Sequence, residues 1–70
     1  MNTIHKITNI TSEKIMYSLK GDDGKIYSIY ELKCDRTYEN GDVDKNTTVI
    51  CNQREYEEVQ ASGCYHVYDN

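Results

Sequence analysis

Hydrophobic and polar positions alternate most clearly on either side of Gly21-Asp22-Asp23-Gly24. Residues 14–20 and 25–33 are rich in Ile and Tyr interleaved with polar residues, which is the period-2 signature of strands. Gly and Asp between them supply the positive-φ positions of a tight connection, so the two runs read as a β-hairpin. With Lys20 set opposite Lys25, Leu19 faces Ile26, Tyr17 faces Ser28 and Ile15 faces Tyr30. That register places Ile15, Tyr17, Leu19, Ile26, Tyr30 and Leu32 on a core face. Met16, Ser18, Tyr27 and Ile29 fall on a second face, where Lys14 opposite Glu31 adds a cross-strand ion pair. A helix over 12–20, capped by Ser12 and ended by Gly21, competes for this segment. No acid stands at capping-box distance from Ser12, however, and the run 25–33 offers a strand partner.

The rest of the pattern is shorter. Ile4, Ile7 and Ile10 are spaced by three, which fits neither period, and the β-branched content of 3–10 predicts an irregular edge strand. Residues 35–46 carry no period and contain the turn dipeptide Asn40-Gly41. Thr47 to Cys51 is a short β-branched run. Asn52 then opens a helix, with Glu55 at the capping-box position, an Arg54–Glu58 pair one turn apart, and Gly63 just past the end. Tyr56 and Val59 share one side of it. A last strand, Cys64 to Tyr68, puts Cys64, His66 and Tyr68 on one face and Tyr65 and Val67 on the other.

The predicted order is β-β-β-β-α-β in a single domain spanning 1–70. The fold class is mainly β with one short helix. A sheet this small shields its edges best by curling, so a five-stranded, partly closed SH3-like barrel is expected, with an OB-like or α+β meander as the alternative.

Composition narrows the function more than it names one. All seven aromatic residues are Tyr, and the chain of 70 residues has no Trp, Phe or Pro. A half-buried Tyr keeps its hydroxyl wet, and Tyr is enriched where proteins meet. Tyr17, Tyr30 and Tyr56 read as core, Tyr27 and Tyr38 as contact residues, and at most one of Tyr65 and Tyr68 as buried. The net charge of −4 disfavours phosphate backbones and anionic membranes and suits a basic partner. No run approaches a membrane span and no apolar leader precedes the domain, so a cytoplasmic protein with reduced thiols is expected. On that expectation the sequons at Asn9 and Asn46 go unmodified.

Candidate chemistry is sparse. Asp42, Asp44 and Asn46 alternate like calcium-loop ligands, but Thr47 stands where Gly is required and Gln53 where the bidentate acid belongs. Cys64 and His66 are one loose pair, and Cys34 and Cys51 would have to approach them to complete a zinc site. A Cys–His nucleophile at the same pair lacks an enclosing scaffold in so short a chain. Neither a metal nor another cofactor is expected, and no enzymatic activity.

The expected function is that of a small acidic protein-binding module. The picture is of a phage or mobile-element inhibitor that binds and blocks a larger, basic or nucleic-acid-binding host protein. Its expected contact residues are Met16, Tyr27, Ile29, Tyr38, Asp42 and Asp44, on a monomer or small homo-oligomer. The alternative is a barrel that binds single-stranded nucleic acid through exposed tyrosines. That would require Lys6, Lys14, Lys20, Lys25 and Lys33 to converge.

Overall fold

The computed structural model describes residues 2–68. The elements are β1 (Asn2–Lys20), β2 (Ile26–Thr37), β3 (Val43–Cys51), α1 (Gln53–Ser62) and β4 (Cys64–Tyr68). They form one antiparallel sheet of four strands in the order β3-β2-β1-β4, with α1 packed on one face. The sheet is open. The expected five-stranded, partly closed barrel is not formed, because the segments 3–10 and 14–20 are one continuous strand rather than two. An α+β meander describes the topology better: β1, β2 and β3 run as consecutive hairpins, and α1 carries the chain across to place β4 beside the start of β1.

The helix forms as its local sequence dictates. The Asn52 side chain accepts from the Glu55 N–H, and the Glu55 carboxylate accepts from the Asn52 N–H. Gly63 ends it in the left-handed conformation at φ 78°, its N–H returned to the Val59 carbonyl. Val59 is buried against Ile7, Leu32, Cys34, Val49, Cys51 and Tyr65, which make the core. Tyr56 stacks on Tyr30 with ring centroids 3.7 Å apart and planes 7° from parallel.

Both hairpin connections have the same build. Gly21 donates to the Lys25 carbonyl and Gly24 to the Gly21 carbonyl, while Tyr38 donates to Asp42 and Gly41 to Tyr38. In each, the fourth residue is a glycine at positive φ, and the third, Asp23 or Asn40, accepts from the N–H two residues on.

Bulges depart most from the alternating pattern. β1 carries extra residues between Thr8 and Ser12 and one more between Ile15 and Tyr17, and the β2–β3 ladder shifts between Cys34 and Arg36. Asn9 and Asn46 take φ of 52° at these irregularities. Asp35 on the central strand holds both: one carboxylate oxygen accepts from the Asn9 side chain at 2.7 Å, the other from the Asn46 N–H at 2.9 Å. Among the early isoleucines only Ile7 is buried: Ile4, three residues before it in a regular ladder, lies on the opposite face, and Ile10 falls within the first bulge, both exposed.

The bulge at Met16 corrects the expected hairpin register. Ile15 does face Tyr30 and Lys14 does pair with Glu31, but beyond the bulge Tyr17 faces Ile29, Ser18 faces Ser28 and Leu19 faces Tyr27. One extra residue moves every later side chain to the opposite face. Of the six residues assigned to the core face, only Leu32 is buried and Tyr30 half-buried; Ile15, Tyr17, Leu19 and Ile26 are exposed.

Candidate functional site

The β2–β3 ladder ends at Tyr30 opposite Cys51, and the β1–β4 ladder ends at Lys6 opposite Cys64. From Ile15 to Ile29 the hairpin therefore continues as a two-stranded arm. Its register and alternation put Tyr17, Leu19, Tyr27 and Ile29 on one face of the arm. Ser18 and Ser28 lie on the helix side with their hydroxyl oxygens 2.9 Å apart. Ile15, Met16, Tyr17, Leu19, Ile26 and Tyr27 are all exposed, from 40% for Tyr27 to 62% for Ile26. An isolated two-stranded hairpin is marginal in water, and burial is worth about 1.5–3 kcal/mol for each large apolar side chain. The arm leaves six such side chains in water, an exposed apolar patch of the kind that marks interaction sites.

The arm is held in shape from both ends. At its tip the Tyr27 hydroxyl donates to Asp23 at 2.5 Å. That bond lowers the Asp23 carboxyl below its ordinary range and raises the Tyr27 phenol. At its root the Ser28 N–H donates to the Gln53 side-chain oxygen at 3.0 Å. Gln53 thereby takes the place along the β2 edge that a longer β3 would occupy. Beside it, a groove lined by Leu19, Tyr27 and Ile29 on the arm runs against Gln53, Arg54 and Glu57 of α1.

The expected contact residues separate into two groups. Met16, Tyr27 and Ile29 are brought together on the arm. Tyr38, Asp42 and Asp44 lie at the other end of β2, around the second turn. There the Tyr38 hydroxyl donates to Asp44 at 2.6 Å, and Arg36 bonds the same oxygen at 3.1 Å. Those two bonds hold the Asp44 carboxyl below its ordinary value and leave it neutralised by Arg36. Asp42 is tied to the Asn40 side chain within the turn. His5 sits edge-on to both Tyr38 and Tyr65 and shares a 3.0 Å hydrogen bond with the Tyr65 hydroxyl. Burial, aided by the Arg36 charge, lowers its pKa. This end is a polar cluster whose groups bond mostly to one another, the buried Arg36 Nε being left without a partner.

Sequence reasoning missed Tyr17, Leu19, Ile15 and Ile26 as surface residues. A signal was present: residues 15–19 and 26–30 are apolar at both alternating positions, more than one helix and a short β3 can cover on two faces.

Cys34 and Cys51 are buried in the core and Cys64 is partly covered. Burial pushes the Cys34 thiol up and the Cys51 thiol to about 12, so both stay protonated and unreactive near neutral pH. Among the described residues no three of His, Cys, Asp and Glu converge as metal ligands, and no helix is long and apolar enough to cross a membrane. His66 is held instead by Glu58, whose carboxylate accepts at 2.6 Å and is lowered by that bond.

No protein-family model matches the chain. No curated protein and no solved structure matches it either.

Proposed function

We propose that this protein is a non-enzymatic binding module that engages a larger protein through the β1–β2 arm. The observation that carries this reading is the exposure of Ile15, Met16, Tyr17, Leu19, Ile26 and Tyr27 over the two faces of a projection that adds none of these side chains to the core. Tyr17 and Tyr27 are the aromatic anchors, a residue type over-represented among binding hot spots. Asp23 holds Tyr27 in place before contact, which reduces the ordering cost of binding. The net charge of −4 favours a basic partner such as a nucleic-acid-binding protein, while at the tip Asp22 and Asp23 are balanced by Lys20 and Lys25. A module of this size acts by occupying a surface its partner needs, which makes inhibition the natural consequence.

Charge distribution supports this reading over direct nucleic-acid binding. Lys14 is paired with Glu31 at 3.3 Å, and Lys33 lies on β2 between Glu31 and Asp35 on the same face. A phosphate-tracking groove needs uninterrupted positive charge.

The test is affinity retention with three baits: wild type, Tyr17→Glu/Leu19→Glu, and Asp42→Lys. The reading requires a protein held by wild type and by Asp42→Lys but lost from the arm variant. Equal retention by all three, or loss only from Asp42→Lys, overturns it.

A further inference from the structure

We propose that the open β1 edge of the arm, Glu13–Lys20, pairs with the same edge of a second copy of this chain. The inference rests on the reading of the arm as a contact surface and names the occupant of its edge. Two edges run along the arm. The β2 edge is obstructed at its root by the start of the helix, where the Gln53 side chain takes the Ser28 N–H. Since that amide points away from β1, the Ser18–Ser28 pair is a non-hydrogen-bonded one, and Ser18 directs its own main-chain groups outward. By alternation Lys20 does the same, and across the bulge so do Ile15 and Glu13. β4 pairs only with Asn2–Lys6, so nothing in the described chain takes up the β1 edge of the arm.

The bulge decides how two such edges can meet. In an antiparallel pair, facing residues must project to the same side. An unbulged strand meets its own copy symmetrically only with a residue facing itself. The extra residue at Met16 puts Glu13 and Ile15 on the same side as Ser18 and Lys20. Pairing symmetric about the bulge then sets Glu13 opposite Lys20, Lys14 opposite Leu19 and Ile15 opposite Ser18, each twice. The two Glu13–Lys20 contacts join opposite charges, and the main-chain groups of Glu13, Ile15, Ser18 and Lys20 meet as hydrogen-bonded pairs. A shift by one step of the axis sets Glu13 against Ser18 and loses both charge contacts. The dimer lays two arms side by side and leaves the Tyr17, Leu19, Tyr27 and Ile29 face of each directed outward for a different protein.

The test is sedimentation equilibrium on wild type, Glu13→Lys, Lys20→Glu and an equimolar mixture of the two variants, with thermal unfolding confirming that each is folded. Wild type should dimerise reversibly. Each variant alone places like charges opposite each other and should weaken dimerisation by at least about tenfold. The mixture should recover it, because one protomer then carries both acids and the other both bases. A wild type that stays monomeric at millimolar concentration overturns the proposal, as does dimerisation that both variants leave unchanged. Neither result bears on retention of a different protein by the Tyr17 and Leu19 face, so the two readings fail separately.

Discussion

The Gln53 side-chain oxygen accepts the Ser28 main-chain N–H at 3.0 Å, so a single residue at the start of the helix obstructs the β2 edge at the root of the arm. The same oxygen is 3.4 Å from the Tyr30 hydroxyl, while the Gln53 amide nitrogen donates to Glu57. Because Ser28 is buried, Gln53→Ala leaves its N–H without a partner, at an expected cost of about 1–3 kcal/mol. Urea unfolding measures that loss. Hydrogen exchange should show Ser28 opening faster while Leu32 and Val49 keep their protection.

Core and arm should respond in opposite ways to truncation. Leu32 is fully buried among Cys34, Val49 and Cys51, and Leu32→Ala should cost about 2–5 kcal/mol. Leu19→Ser on the arm should change stability by less than about 0.5 kcal/mol, because Leu19 is 57% exposed. Matched urea curves decide this, and a large loss at Leu19 would mean the arm is part of the fold's support.

The division explains what was legible beforehand. The helix and its caps depend on contacts within a few residues, from Asn52 to Glu55 and from Gly63 to Val59, and so could be read directly. The same holds for Gly24 and Gly41 in the turns and for the strand Cys64–Tyr68. The bulges could not. Nothing in Ile15-Met16-Tyr17 marks an extra residue, and those at Asn9 and Asn46 depend on Asp35, 26 and 11 residues away. One unmarked residue moved Tyr17 and Leu19 from the core face to the surface. Of the exposed apolar residues on the arm, the sequence pattern therefore placed Met16 and Tyr27 at the surface but not Ile15, Tyr17, Leu19 and Ile26.

Asp35→Ala should release both positive-φ asparagines at once. Hydrogen bonds from Asn9 and then Asn46 hold the Asp35 carboxyl below its ordinary value, so it is ionised and accepting throughout the neutral range. The variant should lower the unfolding midpoint and expose the Asn46 N–H to fast exchange. Asn46 protection equal to wild type would show that the bulges form without it.

Stability should fall on acidification in two stages. Burial, then the Arg36 charge, hold His5 below its ordinary 6.5, so the unfolded chain takes up a proton at a higher pH than the native protein. Its contribution is complete above 6.5 and is lost as pH drops from there to the lowered native value. Asp35, Asp44 and Glu58 are also lowered, so their contributions persist to more acid pH and are lost as pH falls through their native values. Urea midpoints across this range check the order of loss. His5→Gln should flatten the first stage and leave the second.

Photo-crosslinking tests the central claim most directly. A benzophenone amino acid is placed at position 17 on the arm or at position 38 in the polar cluster, and each protein is irradiated with its retained partner. Adducts from position 17 and none from position 38 are predicted. Adducts from position 38 alone, or from neither, would contradict the assignment of the arm as the binding surface.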